Sequence, residues 1–172
     1  MAGSGQALPD GTSRNPMRAG AGAARETLIA DAARRELQNI VFLPMQPKDR
    51  MPDVWSLCDV ALIHLKNDPA FSEVIPSKIF EAMAMGLPLL IAAPPGEATE
   101  IVTEEKAGLA VPAEDPSALA AAVVRLWKDS ALRRELAAAS LGAVPRYSRE
   151  RQAAEMLEVF DAAMTGVRVS PR

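Results

Sequence analysis

Pro88-Leu-Leu-Ile-Ala-Ala-Pro-Pro-Gly-Glu-Ala-Thr-Glu-Ile-Val-Thr-Glu-Glu-Lys-Ala-Gly-Leu-Ala-Val-Pro112 is the stretch that decides the fold. Pro88–Ala93 is a short, unbroken apolar run bounded by prolines, the pattern of a strand buried on both faces. A turn at Pro94-Pro95-Gly96 leads into a short helix, Glu97–Glu104, and Gly108–Pro112 is a second strand. Strand, helix, strand with this spacing is a crossover unit, which requires the two strands to run parallel.

The same alternation extends to both sides. Upstream, Asp59–Leu65 reads as a strand, and residues 66–76 form a polar loop. Ser77 is placed to cap a helix over 78–85, which Gly86 ends. Further upstream, Pro47 to Leu57 is a loop and a helix, Asn39–Pro44 a buried strand, and Ala23–Leu37 a helix with Leu28, Ala32 and Leu37 inward. Residues 1–22, rich in Gly, Ser, Pro and Asn, carry no apolar period and are expected to be disordered. Downstream, Asp115-Pro116 caps a helix to Lys128 whose apolar face is Leu119, Val123, Leu126 and Trp127. Ser130 opens the next helix, stopped by Gly142. Ser148 opens the last, with Ala153, Leu157, Phe160 and Met164 on one stripe. The expected architecture is a parallel α/β sheet of Rossmann type with a helical C-terminus. Its ligands would bind in the loops after Leu65, Ala93 and Pro112, beyond the carboxyl ends of the strands.

Composition removes several classes. The 172 residues are 49% hydrophobic, 24% charged and 4% aromatic, the balance of a globular domain with an aliphatic core. A net charge of −3 gives no basic face for nucleic acid. The longest apolar stretch, Ile79–Pro95, is broken by Glu81, Gly86 and Pro88, so no membrane span is expected. Met-Ala-Gly-Ser-Gly does not open a signal peptide. Cys58 and His64 each stand alone in the composition, which leaves no disulfide framework and no His- or Cys-based metal site. Cys58 reads as a small buried residue, His64 as a satisfied histidine at a strand mouth, and Met83 and Met85 as core filler. A cytoplasmic protein is expected.

The residues that carry chemistry lie in Glu73-Val-Ile-Pro-Ser-Lys-Ile-Phe-Glu81-Ala-Met-Ala-Met-Gly86-Leu-Pro. Ile79, Phe80 and Ala82–Met85 leave almost no polar face, so the helix is expected to be buried nearly all round. Glu81, one turn in, then needs a partner to offset lost hydration. Lys78 sits in the first turn, where the macrodipole disfavours a cation by about 0.3–1 kcal/mol. An anion at the helix start would remove that conflict, with free N–H groups and the lysine suiting a phosphate. A Lys78–Glu81 ion pair would satisfy both residues with no ligand, and Glu73 in a polar loop could be merely solvated.

The stretch resembles the E-x7-E signature of the retaining GT-B glycosyltransferases, the family-4 group, and is most similar to the bacterial branch that builds surface polysaccharides. Asn39-Ile-Val-Phe-Leu-Pro, Asp59-Val-Ala-Leu, Gly96-Glu97 with Glu100-Ile-Val, Gly108-Leu-Ala-Val-Pro, Asp115-Pro and Tyr147-Ser148 follow in the family's order. The similarity covers roughly residues 19–164. It implies that residues 23–166 are a donor-binding C-terminal domain, with 1–22 unrelated and 167–172 a tail. Glu81 would bind ribose hydroxyls. Glu73, the catalytic candidate, would contact the donor sugar. Pro76, Ser77 and Lys78 would face the diphosphate. The donor would be an NDP-sugar and the acceptor a lipid-linked glycan or saccharide. No metal or other cofactor is implied, and no Asp-x-Asp pair occurs in the chain.

The resemblance also implies absences. The family's amino-terminal acceptor domain has no counterpart here. Gly20-Ala-Gly22-Ala-Ala-Arg25 resembles the turn after the domain's second strand, yet Ser13–Arg18 does not read as a strand. The domain's first two strands are therefore expected to be missing, leaving Asp59–Leu65 as an exposed sheet edge. The chain alone is expected to be an inactive fragment, or to work with a separate chain that supplies the rest. The full enzyme would contact the inner face of the membrane through the acceptor domain. Two other readings stay open. One is a degenerate, non-catalytic donor domain acting as an interaction module. The other is a GT-B epimerase, against which Pro-Ser-Lys-Ile-Phe-Glu argues.

Overall fold

The computed structural model describes residues 17–19 and 25–165. The chain forms two compact units divided after Leu57. The expectations for residues 1–16, 20–24 and 166–172 lie outside the described residues.

The first unit holds a short strand β1 (Met17–Ala19), helix α1 (Arg25–Arg34), strand β2 (Val41–Leu43), a single 3-10 turn and helix α2 (Met51–Ser56). β1 pairs parallel with β2, Met17 opposite Val41 and Ala19 opposite Leu43. This corrects one expectation, because Met17 and Arg18 fall in a segment that reads as non-strand. Met-Arg-Ala has no β-rich composition, and its extended form comes from pairing with β2. The unit's core is thin. Ala32 is its buried apolar residue, whereas Leu28, Leu37 and Val41, expected inside, are exposed. A two-stranded sheet and two short helices have too little surface to cover them.

The second unit contains the sheet that matters for function. Strands β3 (Ala61–His64), β4 (Leu89–Ala93) and β5 (Gly108–Pro112) run parallel in the order β3-β4-β5. The register sets Ala61 against Leu89 and Leu89 against Gly108. All five residues of β4 are buried, as a central strand covered on both faces requires. Each fully buried Leu or Ile there contributes roughly 1.5–3 kcal/mol.

Helices α3 (Lys78–Ala84) and α4 (Glu97–Glu104) are the two crossovers. The three C-terminal helices are α5 (Pro116–Lys128), α6 (Ser130–Ala143) and α7 (Arg149–Thr165). Leu90 packs with Ala122, Leu126 and Leu136, so α5 and α6 cover that side of β4. Val123, expected inward, is exposed, and the buried position of that turn is Ala122. Gly142 lies inside α6 rather than ending it, since the helix runs on to Ala143 and a 3-10 turn.

Caps follow the sequence signals closely. Asp115 accepts from Ser117 and Ala118 N–H at 3.0 and 2.9 Å, and Ser148 accepts from Arg151 N–H at 3.2 Å. Asp129, not Ser130, caps α6 through Leu132 N–H at 2.8 Å. The buried Ser140 hydroxyl lies 2.9 Å from Leu87 O and 3.2 Å from Ala107 O, which ties α6 to the entrances of β4 and β5. The apolar stripe of α7 exists as read, but Leu157, Phe160 and Met164 are exposed. Among the described residues, no helix is long and apolar enough to cross a membrane.

Candidate functional site

Three loops leave the carboxyl ends of β3, β4 and β5, and the structure ties them together. The loop after β3 makes a 3-10 turn over Pro69–Phe71, capped by Asp68, which accepts from Ala70 N–H at 2.9 Å. Earlier in the same loop, Asn67 N–H reaches Glu114 Oε1 in the loop after β5 at 3.4 Å. Its far end rests on the loop after β4. A Cβ added to Gly96 would sit 2.1 Å from Ser72 O, so the two backbones touch in a way only glycine permits. Thr99 fixes that turn, its hydroxyl accepting from Gly96 N–H at 3.0 Å and donating to Gly96 O at 2.7 Å. The residue after Ser72 is Glu73. Gly96 and Thr99, neither of which the motif contains, thus support the residue that precedes it.

The five residues singled out in the sequence occupy this end of the sheet. Glu73 is exposed in the loop, Pro76 half-buried beside it, and Ser77, Lys78 and Glu81 exposed on the first turn of α3. This corrects the expectation of a helix buried all round. Only Ile79, Ala82 and Met83 of α3 are buried, and Lys78, Glu81 and Ala84 form an open face. Glu81 consequently carries no burial penalty. Met85, read as core, is half-buried.

Ser77 does not cap the helix. Its backbone is already helical, and its hydroxyl donates to Glu81 Oε1 at 3.2 Å. That bond occupies one carboxylate oxygen and leaves the other free to accept from a diol. The alternative of a Lys78–Glu81 ion pair does not form, and Lys78 has no ion pair among the described residues. The signal for the Ser77–Glu81 contact was present in the sequence, since residues four apart share a helix face. Asn67, Ser72, Gly96 and Glu114 had no such signal, because their contacts join distant parts of the chain.

On the outer side of α3, Phe80 stacks on Tyr147 with ring centroids 5.1 Å apart. Tyr147 OH donates to Glu105 Oε1 at 2.9 Å, and Arg146 Nε donates to the same oxygen at 2.9 Å. Arg146 Nη2 completes a two-pronged contact with Glu105 Oε2. This clasp joins the 3-10 turn between α6 and α7 to α3 and to the end of α4, and braces the helix that carries Lys78 and Glu81. His64 is exposed at the end of β3. Cys58 is half-buried, and burial, with Asp59 beside it, pushes its thiol up from the usual value.

The sequence pattern of the family described as "Glycosyl transferases group 1" matches residues 16–129, about two thirds of the chain. The chain belongs to the group 1 glycosyl transferase family. Among curated relatives, D-inositol 3-phosphate glycosyltransferase of Stackebrandtia nassauensis is 30% identical over 149 residues, covering 87% of this chain and 31% of its own length. The enzyme of the same name from Salinispora arenicola is 29% identical over 126 residues, covering 73% and 27%. The chain thus spans under a third of the length of these transferases.

Solved structures agree on the architecture. HepE of Anabaena in complex with UDP superposes with a TM-score of 0.70 at 20% identity, over 85% of this chain and 41% of HepE. A glycosyltransferase of Rickettsia africae gives 0.71 at 16%, over 88% and 40%. WaaG, involved in lipopolysaccharide biosynthesis, gives 0.61 at 23%, over 81% and 37%. The fold is the GT-B Rossmann-like α/β fold.

Proposed function

We propose that this chain is the donor-nucleotide half of a retaining, family-4 GT-B glycosyltransferase. It would take a sugar from an NDP-sugar and pass it to a lipid-linked or saccharide acceptor held by the other half of the enzyme. The observation that carries the reading is the open face of α3. Lys78, without an ion pair among the described residues, lies one turn from a Glu81 carboxylate already oriented by Ser77.

The residue chemistry suits a nucleoside diphosphate. Glu81 accepts from the ribose hydroxyls through the oxygen that Ser77 leaves free. Lys78, Ser77 and the backbone at Pro76 face the diphosphate, stabilising negative charge as the sugar departs. Glu73, next to the Ser72 that rests on Gly96, accepts from the donor sugar's hydroxyls and is the catalytic candidate of this chain. In the retaining reaction, the departing diphosphate takes the proton of the acceptor hydroxyl on the face from which it leaves. No group of this chain needs a metal for these roles. The UDP held by HepE supports a uridine nucleotide as the first donor class to try.

Transfer also needs an acceptor, which in this reading the other half of the enzyme holds. The chain alone therefore binds donor without turnover, in the cytoplasm or at the inner face of the membrane with its acceptor half. The branch is that of surface polysaccharides, given the Ile75-Pro-Ser-Lys-Ile-Phe-Glu81 run. Calorimetric titration with UDP, GDP and ADP tests the donor site directly. Saturable binding of one of them, lost in Glu81→Gln, is the expected result, and no binding of any would sink the reading.

A further inference from the structure

The polar loop between β3 and α3 is held to the rest of the carboxyl end at two points. Within it, the N–H groups of Phe71 and Ser72 donate to Asp68 O and Pro69 O at 2.9 and 3.1 Å, and Val74 N–H to Phe71 O at 3.4 Å. With the Asp68 cap on Ala70, these bonds make residues 68–74 a turn that moves as one body. A body held at one point pivots, and two contacts set its orientation. One contact is Ser72 on Gly96, in the loop after β4. The other is Asn67 N–H on Glu114 Oε1, in the loop after β5. Because β4 lies between β3 and β5, this second link spans the end of the central strand, roughly 10 Å at the usual strand spacing.

Glu114 holds its end of the link in an unfavourable backbone. Its φ is 60°, in the left-handed region that costs glycine nothing and disfavours residues with a β-carbon. Among the described residues, two other non-glycine positions share that region, Glu36 and Lys106. Both follow helices, where Leu37 N–H reaches Ala32 O and Ala107 N–H reaches Val102 O in the usual helix-end bonds. Glu114 follows a strand instead, two residues after Pro112 ends β5 and one before Asp115, the cap of α5. A glycine there would relax the backbone but would lack the carboxylate that takes up Asn67. We infer that Glu114 is a positioning residue for Glu73: it fixes the 68–74 turn and so sets where the Glu73 carboxylate meets the donor sugar. The sugar contact rests on the donor reading of Glu73 given above, whereas the link itself stands on the geometry of the two loops.

The test uses the full chain and three variants. Glu114→Gly relaxes the backbone and removes the link. Glu114→Asn also suits the left-handed region, with a side chain one carbon shorter. Glu114→Gln keeps the length and an acceptor oxygen. In nitrogen–proton spectra without ligand, the signals of residues 67–74 should move in the Gly and Asn variants and stay near the parent's in the Gln variant. Calorimetry then compares UDP with UDP-glucose. UDP should bind the Gly and Asn variants as it binds the parent, because Lys78 and Glu81 sit on α3 rather than on the turn. UDP-glucose should bind them about two- to tenfold more weakly, the range that one hydrogen bond contributes, and the Gln variant should restore the parent's affinity. The Gly variant should melt at or above the parent, which separates a loss of sugar affinity from a loss of folding. Unmoved signals in both the Gly and Asn variants would overturn the link. Equal weakening for UDP and UDP-glucose, or a Gln variant as weak as the Gly variant, would overturn the positioning role. A parent chain that binds neither ligand fails the donor reading, and the sugar contact falls with it, while the spectra still decide the link.

Discussion

Ser77 Oγ lies 3.2 Å from Glu81 Oε1, and this bond, not a helix cap, is what the serine of the Pro-Ser-Lys run does in the free chain. It holds the carboxylate in one orientation before any nucleotide arrives. Glu81→Gln keeps the shape but removes the charge, which for hydrogen bonds to a charged group is worth about 1.5–3 kcal/mol. Affinity for the preferred nucleotide should fall on the order of tenfold to a hundredfold by calorimetry. Ser77→Ala should cost less, since the carboxylate remains and only its orientation is freed. A larger loss in Ser77→Ala than in Glu81→Gln would mean that the hydroxyl itself contacts the ligand.

Gly96 tests how the loop of Glu73 is positioned. Its φ of 162° is extended backbone that any residue adopts, so the cost of a side chain is purely steric. A Cβ 2.1 Å from Ser72 O cannot be accommodated unless the loop moves. Gly96→Ala should therefore shift the amide signals of residues 70–76 in a nitrogen–proton spectrum and lower stability by about 1–3 kcal/mol. If the Glu73 amide does not move, the brace described above is not what places it.

These two sites mark the division between what the sequence discloses and what only the folded chain does. β4 was readable because a central parallel strand must be apolar without interruption, and Leu89–Ala93 is buried throughout. α3 was misread because its composition lacks polar residues, yet its exposed face needs only Lys78, Glu81 and the small Ala84. α7 shows a related limit. Its stripe of Leu157, Phe160 and Met164 reveals a face that wants cover, and periodicity cannot tell whether anything covers it. β1 carries no strand signal in Met-Arg-Ala and exists through its pairing. The motif gave Glu73 and Glu81, whereas Asn67–Glu114 and Ser72–Gly96 arise from contacts between distant residues.

Tyr147 gives an alkaline signature that can be read without labels, because it is the sole tyrosine of the chain. Burial raises its pKa, Arg146 lowers it, and Glu104 and Glu97 raise it, for a net upward shift from 10.0. The unfolded chain therefore loses this proton first as pH rises. The contribution to stability is complete below about pH 10 and is lost as pH rises through the folded value. Absorbance titration should show an ionisation midpoint above that of the denatured chain, with melting temperature falling over the same range. Tyr147→Phe should remove that part of the slope along with the bond to Glu105, and an unchanged slope would place the alkaline transition elsewhere.

Ser140 is the buried polar side chain that joins the C-terminal helices to the sheet. It is fully enclosed, with Leu87 O and Ala107 O both within 3.2 Å of its hydroxyl. Ala107 O also accepts from Leu89 N–H, so it keeps a partner when the serine is removed. In Ser140→Ala the loss then falls on the contact with Leu87 O, a carbonyl sealed from water by α6. The expected cost is about 1–3 kcal/mol, the penalty for stranding a buried acceptor. Ser140→Cys preserves a weak donor of similar size and should recover part of it. Denaturant melts of the two variants separate the possibilities. A loss in Ser140→Ala that the cysteine does not reduce would mean that packing volume, not the hydrogen bond, holds α6 against the strand entrances.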